Sequence, residues 1–225
     1  MRIRKSIFIA MAVFMVTFSV HLFGQDQNTK AGLSIMCIGD SITEGGKSFQ
    51  IYRQLLSEKL KRQFDIEFVG SKGTDLKHEG YGGKNSAFLA KTVPANFAKH
   101  PASAILIHAG HNNFAKDKPV PGIIENTRKL IEGCRTTNPS VTVLLGQVIT
   151  SKKLPKYSYI PELNLKLAEL AKSLNTEKSP VIVVDHATGF NPDTMTVADK
   201  VHPNAKGAEH MAKCWARAIR KALSK

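Results

Sequence analysis

The stretch from Ile35 to Gly46 reads IMCIGDSITEGG. Four apolar residues run into a glycine, an aspartate and a serine, and two more glycines follow. An uninterrupted apolar run is the pattern of a parallel strand buried on both faces, not of a strand with one wet face. Gly39 ends the run, and Ser41 stands just past it. The position of that serine directs attention to every other place where the chain leaves a strand.

Similar runs occupy 33–39, 66–70, 104–109, 141–147 and 181–185. Helical patterns lie between them, over 48–64, 86–99, 122–134, 161–174 and 204–223. In the first of these, Ile51, Leu55, Leu56 and Leu60 recur at helical spacing, and Ser48 is placed to cap it. Strand then helix, five times over, implies an α/β fold: an open parallel sheet with helices on both faces. Ligands of such sheets bind outside the carboxyl ends of the strands. Chemistry is therefore expected in the loops 39–46, 71–85, 110–119, 147–161 and 186–203.

The 225 residues suit one domain, and 42% hydrophobic residues supply a core. The N-terminus stands apart. Arg2, Arg4 and Lys5 precede an uncharged stretch from Ser6 to Phe23. A basic segment followed by an apolar one is the pattern of a secretory signal peptide over residues 1–24, cut near Gly24 or Gln25. An uncleaved membrane anchor is the alternative. The esterase-like domain described below then spans 32–225, and an exported protein, periplasmic or extracellular, is expected. The formal charge is +14, and +11 without the three leader cations. That balance favours acidic partners such as polyanionic glycans or a negatively charged cell surface. The basic residues are scattered and no nucleic-acid motif is present, so no nucleic-acid partner is expected. Cys37, Cys134 and Cys214 lack metal-ligand spacing and are expected as buried free thiols, one disulfide remaining open.

Ser41 is a candidate nucleophile, and a serine hydroxyl needs a base. The segment ADKVHPNAKG, residues 198–207, offers one. Pro203 turns His202 away from helical geometry, so Asp199 and His202 are expected in a tight turn where the acid orients the ring. Asp185 and His186 form a competing pair, but adjacent side chains do not meet as easily. Asp40 is expected to hold the turn before Ser41. Oxyanion donors are sought in HEGYGGKNS, residues 78–86, and HAGHNNF, residues 108–114. The glycines of the first let an amide face a ligand, and Asn112 or Asn113 of the second could offer a side-chain amide.

Together these four segments resemble the SGNH hydrolase family, the GDSL esterases, whose blocks centre on Ser, Gly, Asn and His in that order. GDSITEGG resembles the first block, GYGG the second, GHNN the third and DKVHPN the fourth. The resemblance covers Ser34 to about Leu223. It implies a flavodoxin-like three-layer α/β/α sandwich with a five-stranded parallel sheet. It implies a Ser41–His202–Asp199 triad and an oxyanion hole made by the amides of Ser41 and Gly83 and the side chain of Asn112. It implies no metal or organic cofactor. Asn113 departs from the family, which often has aspartate there to support the loop. The forms HEGYGG and DKVHPNAKGAEHMAKCW look most like the carbohydrate-esterase branch, including acetylxylan esterases. The implied protein is a secreted serine esterase removing short acyl groups, acetyl foremost, from carbohydrate. Its partner is an acylated small molecule or polysaccharide, with no stable membrane association after the leader is cut. A lipid esterase of lysophospholipase type and a noncatalytic glycan binder are the alternatives. Tyr157 and Tyr159, in the basic loop VITSKKLPKYSYIPELN, are candidates to stack on sugar rings.

Overall fold

The computed structural model describes residues 31–49 and 51–223. The signal-peptide segment falls outside them. Strands β1 (Ala31–Gly39), β2 (Phe64–Phe68), β3 (Glu79–Gly80), β4 (Ala104–His108), β5 (Thr142–Gly146) and β6 (Val181–Val184) form one parallel sheet among the described residues. The order is β2-β1-β4-β5-β6, and the two-residue β3 pairs with the end of β1. The five main strands are those that the apolar runs mark out, with β1 and β2 each beginning two residues earlier.

Alternation along each strand divides the core in two. Met36 and Ile38 of β1, with Ile105 and Ile107 of β4, face one layer of helices. Ile35 and Cys37, with Leu106 of β4 and Leu144 of β5, face the other. The first layer holds α3 (Ser86–Lys99), α4 (Val120–Thr137) and α5 (Ile160–Leu174). The second holds α2 (Tyr52–Leu60) and α7 (Ala205–Leu223), where Trp215 is fully buried. The result is a three-layer α/β/α sandwich. Truncating a buried tryptophan such as Trp215 typically costs about 3–5 kcal/mol. Cys37, Cys134 and Cys214 are free thiols, the first two buried as expected and Cys214 only half-buried. Among the described residues no helix is long and apolar enough to cross a membrane.

One expectation is corrected, and one element was not foreseen. The helix expected from Ser48 starts at Tyr52, with Ile51 as its N-cap and no side-chain cap bond. Ser48 lies instead in a tight loop closed by the Gly46–Phe49 bridge. Secondly, a single helical turn, α1 (Ser41–Glu44), follows β1 directly. Apolar periodicity cannot reveal an element of four residues. The aspartate before it is a recognised start signal, and Gly45, at φ +90°, is the stop.

Candidate active site

Ser41 is set by its neighbours. Asp40 caps α1: its Oδ1 accepts from the Ile42 amide at 3.0 Å, and its carbonyl accepts from Thr43 and Glu44 at 3.1 and 2.9 Å. The chain therefore turns sharply as it leaves the sheet. Gly39 permits the turn, because a Cβ there would sit 2.3 Å from the His108 carbonyl oxygen on the neighbouring strand.

The Ser41 hydroxyl lies 2.8 Å from His202 Nε2, across 161 residues of sequence. His202 Nδ1 lies 2.5 Å from Asp199 Oδ2. The acid and the imidazole meet because the turn between them is tight. Asp199 Oδ1 accepts the amides of Val201 and His202 at 2.8 and 2.9 Å, and Lys200 takes a left-handed φ of 60°. Burial raises the Asp199 pKa, but the hydrogen bonds from the His202 ring and these two amides outweigh it. The carboxyl is held below the usual carboxylate range. With Nδ1–H donated to Asp199, Nε2 is left to accept the serine proton. The ring of Phe49 stacks on the imidazole, centroids 4.4 Å apart and planes at 21°.

The glycine loop reaches the same place. Gly83 has φ +74°, and a Cβ on it would meet nothing within 4 Å. Glycine is needed there for backbone conformation, not for space. Glu44, at the end of α1, accepts the Gly82 amide at 2.7 Å and pairs with Lys72. Lys72 in turn donates to the Gly80 carbonyl at 2.9 Å. Burial raises the Glu44 pKa, yet Lys72 and the Gly82 amide draw it below its ordinary value. Arg53 is buried beneath α1 and donates to the carbonyls of Thr43 at 2.9 Å, Glu44 at 3.1 Å and Leu76. A guanidinium at the carboxyl end of a helical turn satisfies carbonyls that the turn leaves open.

Asn112 donates one side-chain N–H to the Lys84 carbonyl at 2.9 Å. Its amide nitrogen carries a second. Among the described residues no acceptor takes the amide protons of Ser41 or Gly83. The Asn113 side chain donates within its own loop, at 3.4 Å to the Gly110 carbonyl.

Tyr157 and Tyr159 are buried, so neither offers a face to a sugar ring. Tyr159 donates its hydroxyl to the carbonyls of Gly110 and Asn113, at 2.6 and 3.1 Å, and thereby carries the Asn112 loop. Tyr157 packs edge-on against His111. The Asp185–His186 pair does not form. Asp185 accepts the amides of Ala187 and Thr188, while His186 is buried with both nitrogens lacking a hydrogen-bond partner among the described residues. His186 packs edge-on against Trp215 and His108. Among the described residues no group of three or more histidine, cysteine, aspartate or glutamate side chains is arranged to hold a metal ion.

Sequence reasoning did not single out Phe49, Glu44, Lys72 or Arg53. Only Glu44 carried a signal, as a carboxylate three residues after Ser41 in the first strand exit.

Residues 37–210 match the model of the GDSL-like lipase/acylhydrolase family. A curated relative, a multidomain esterase of Ruminococcus flavefaciens, is 25% identical over 229 residues, covering 83% of this chain. The chain spans only 28% of that protein's length. Among solved structures, the S10A mutant of an acetyl esterase, crystallised with acetate ion, superposes with a TM-score of 0.77 at 22% identity. It covers 85% of this chain and 98% of its own. A carbohydrate esterase family 3 enzyme from Talaromyces cellulolyticus gives 0.76 at 23% identity, with the same coverage of 85% and 98%. At these identities the structural likeness is one of fold.

Proposed function

The chain belongs to the GDSL-like lipase/acylhydrolase family, whose members are carboxylic ester hydrolases, and from that premise we propose that it is an exported serine esterase removing acetyl or other short acyl groups from carbohydrate. One observation carries the reading. Ser41, His202 and Asp199 form a continuous hydrogen-bonded chain, 2.8 Å and then 2.5 Å long, at the carboxyl edge of the sheet.

The chemistry follows from that chain. His202 Nε2 takes the proton of the Ser41 hydroxyl as Oγ bonds to the ester carbonyl carbon. Asp199, ionised, steadies the imidazolium. Charge collects on the carbonyl oxygen, where the amides of Ser41 and Gly83 and the second N–H of Asn112 bind it. Collapse breaks the bond to the sugar oxygen, which leaves with the proton from Nε2. Water then attacks the acyl-enzyme and gives a proton to Nε2. The Oγ–acyl bond breaks, Oγ recovers its proton and the free acid departs.

Carbohydrate and acetyl are favoured as leaving scaffold and acyl group by the HEGYGG and DKVHPN forms, and by the named activities of the fold neighbours. Export is favoured by the leader-like segment 1–24. The test is hydrolysis of p-nitrophenyl esters from acetyl to decanoyl by the wild type and by Ser41→Ala. Activity highest on acetyl and lost in the variant is expected. Full activity in Ser41→Ala refutes the assignment, and a preference for decanoyl moves it to lipids.

A further inference from the structure

An open groove of about 560 Å3 is lined by Phe114, Ala115, Lys116, Pro155 and Lys156. Two loops build it, 113–119 and 151–158. The Ala115 amide donates to the Lys156 carbonyl at 3.1 Å and pins them together. The first loop begins right after Asn112. The second is tied to the turn between Asp199 and His202, since Ser151 Oγ donates to the Lys200 carbonyl at 2.6 Å. The groove is thus anchored on one side to the oxyanion loop and on the other to the histidine turn.

Its lining has two chemistries. The floor is apolar, with Phe114 41% exposed. The rim is cationic. Lys156 Nζ stands 4.5 Å from the centre of the Phe114 ring, and Lys116 completes the lining. On the two loops Lys116, Lys118, Lys152, Lys153 and Lys156 face a single acid, Asp117. Of these, Lys152 is paired elsewhere, with Asp193. An acyl chain filling the groove would offer the ammonium groups at its rim no partner. A sugar ring lays its C–H face on an aromatic, and a carboxylate on that ring meets the ammonium.

We infer that this groove binds an anionic, uronate-bearing glycan chain, so that the substrate of the esterase is an acetylated acidic polysaccharide and not a neutral one. The inference rests on the esterase reading above, but binding tests it without turnover. In a Ser41→Ala background, calorimetry would compare hexagalacturonate, the neutral xylohexaose and decanoate. The acidic hexamer should bind about tenfold more tightly than the neutral one at low salt, as expected of two or three exposed ion pairs. The advantage should vanish by about 0.5 M salt, where the Debye length falls to a few ångströms. The double variant Lys116→Glu/Lys156→Glu should abolish the preference, and Phe114→Ala should weaken both hexamers. A second basic cluster, Lys59, Lys213, Arg217 and Arg220, supplies the control, Lys213→Glu/Arg217→Glu, which should keep the preference. Equal affinity for both hexamers, tighter binding of decanoate, or loss of preference only in the control variant would each overturn the inference. Hydrolysis of p-nitrophenyl acetate by the wild type separates the two ideas. Uronate binding without esterase activity sinks the esterase alone, and esterase activity without uronate preference sinks the groove alone.

Discussion

Acidifying the protein from pH 7.5 to 5.5 should weaken its centre before its surface. Burial pushes the imidazole of His108 down to about 3, with His186 beside it adding to the shift. Burial likewise pushes His186 down to about 3, with His210 contributing. Both rings are fully buried, and His108 Nδ1 and both nitrogens of His186 have no hydrogen-bond partner among the described residues. In the unfolded chain each imidazole titrates near 6.5. The unfolded state therefore binds protons as the pH falls below that value, while the folded state does not until near 3. Stability is full above about 6.5 and is lost progressively toward 3. Between pH 7.5 and 5.5 each histidine costs about 1.4 kcal/mol, so the pair costs about 3 kcal/mol. Near pH 5.5 unfolding should take up about two protons from this pair. His78, drawn down to about 4 by burial and then by Arg53 and Lys72, and His111, drawn down by burial, act in the same direction. The depressed carboxylates Glu44 and Asp199 begin to contribute only at lower pH, so the window isolates the histidines.

Urea unfolding at steps of half a pH unit measures the slope directly, and calorimetry in buffers of different ionisation enthalpy counts the protons. His186→Met should remove about one proton of the uptake while leaving no partner of the ring unpaired. Equal stability at pH 7.5 and 5.5, or an uptake below one proton at pH 5.5, would refute the reasoning.

Ser41→Ala should lower kcat by about 10⁴-fold or more, since a triad acts as a unit. Its melting temperature should stay within a few degrees of wild type, and a large thermal shift would recast Ser41 as structural. Asn112→Ala should cost about 10²–10³ in kcat with little change in KM; a change confined to KM would remove Asn112 from the oxyanion site. Glu44→Ala frees the Gly82 amide and should lower kcat by about 10²-fold through displacement of Gly83. Near-wild-type kcat there would show that the loop holds itself. Phe49→Ala removes a stack worth about 0.5–1.5 kcal/mol on the imidazole and should lower kcat/KM roughly two- to tenfold, read on p-nitrophenyl acetate; no change would leave Phe49 without a role.

The sheet was legible because its signal is local. Each main strand is a short apolar run that must be buried on both faces, and each long helix repeats an apolar stripe. The element that matters most for chemistry broke that rule. α1 is four residues long, too short for any periodicity, and what announced it was one aspartate placed to cap it. Ser48 looked like a cap because serine often is one. In the folded chain the Gly46–Phe49 bridge takes that segment into a loop, and the helix waits until Tyr52.

The site divides along the same line. Ser41, Asp199 and His202 sit in segments that carry a reading on their own, Gly83 and Asn112 are named by the family resemblance, and the structure brings the serine, the histidine and the aspartate into one chain of bonds. The residues that hold those segments in place left almost no trace in sequence. Arg53 is one arginine in an amphipathic helix until three carbonyls, one of them 23 residues away, converge on it. Lys72 reads as a loop lysine until Glu44, 28 residues before it, closes the pair. Tyr159 reads as a surface aromatic in a basic loop, and the fold turns it inward to bind carbonyls 46 and 49 residues earlier. Each acts through a partner that only the folded topology supplies. Tyr157 and Tyr159, the aromatics that the sequence offered for a sugar ring, are both buried. Phe114 is the aromatic of the two groove loops that stands exposed, and the groove experiment tests what that exposure does.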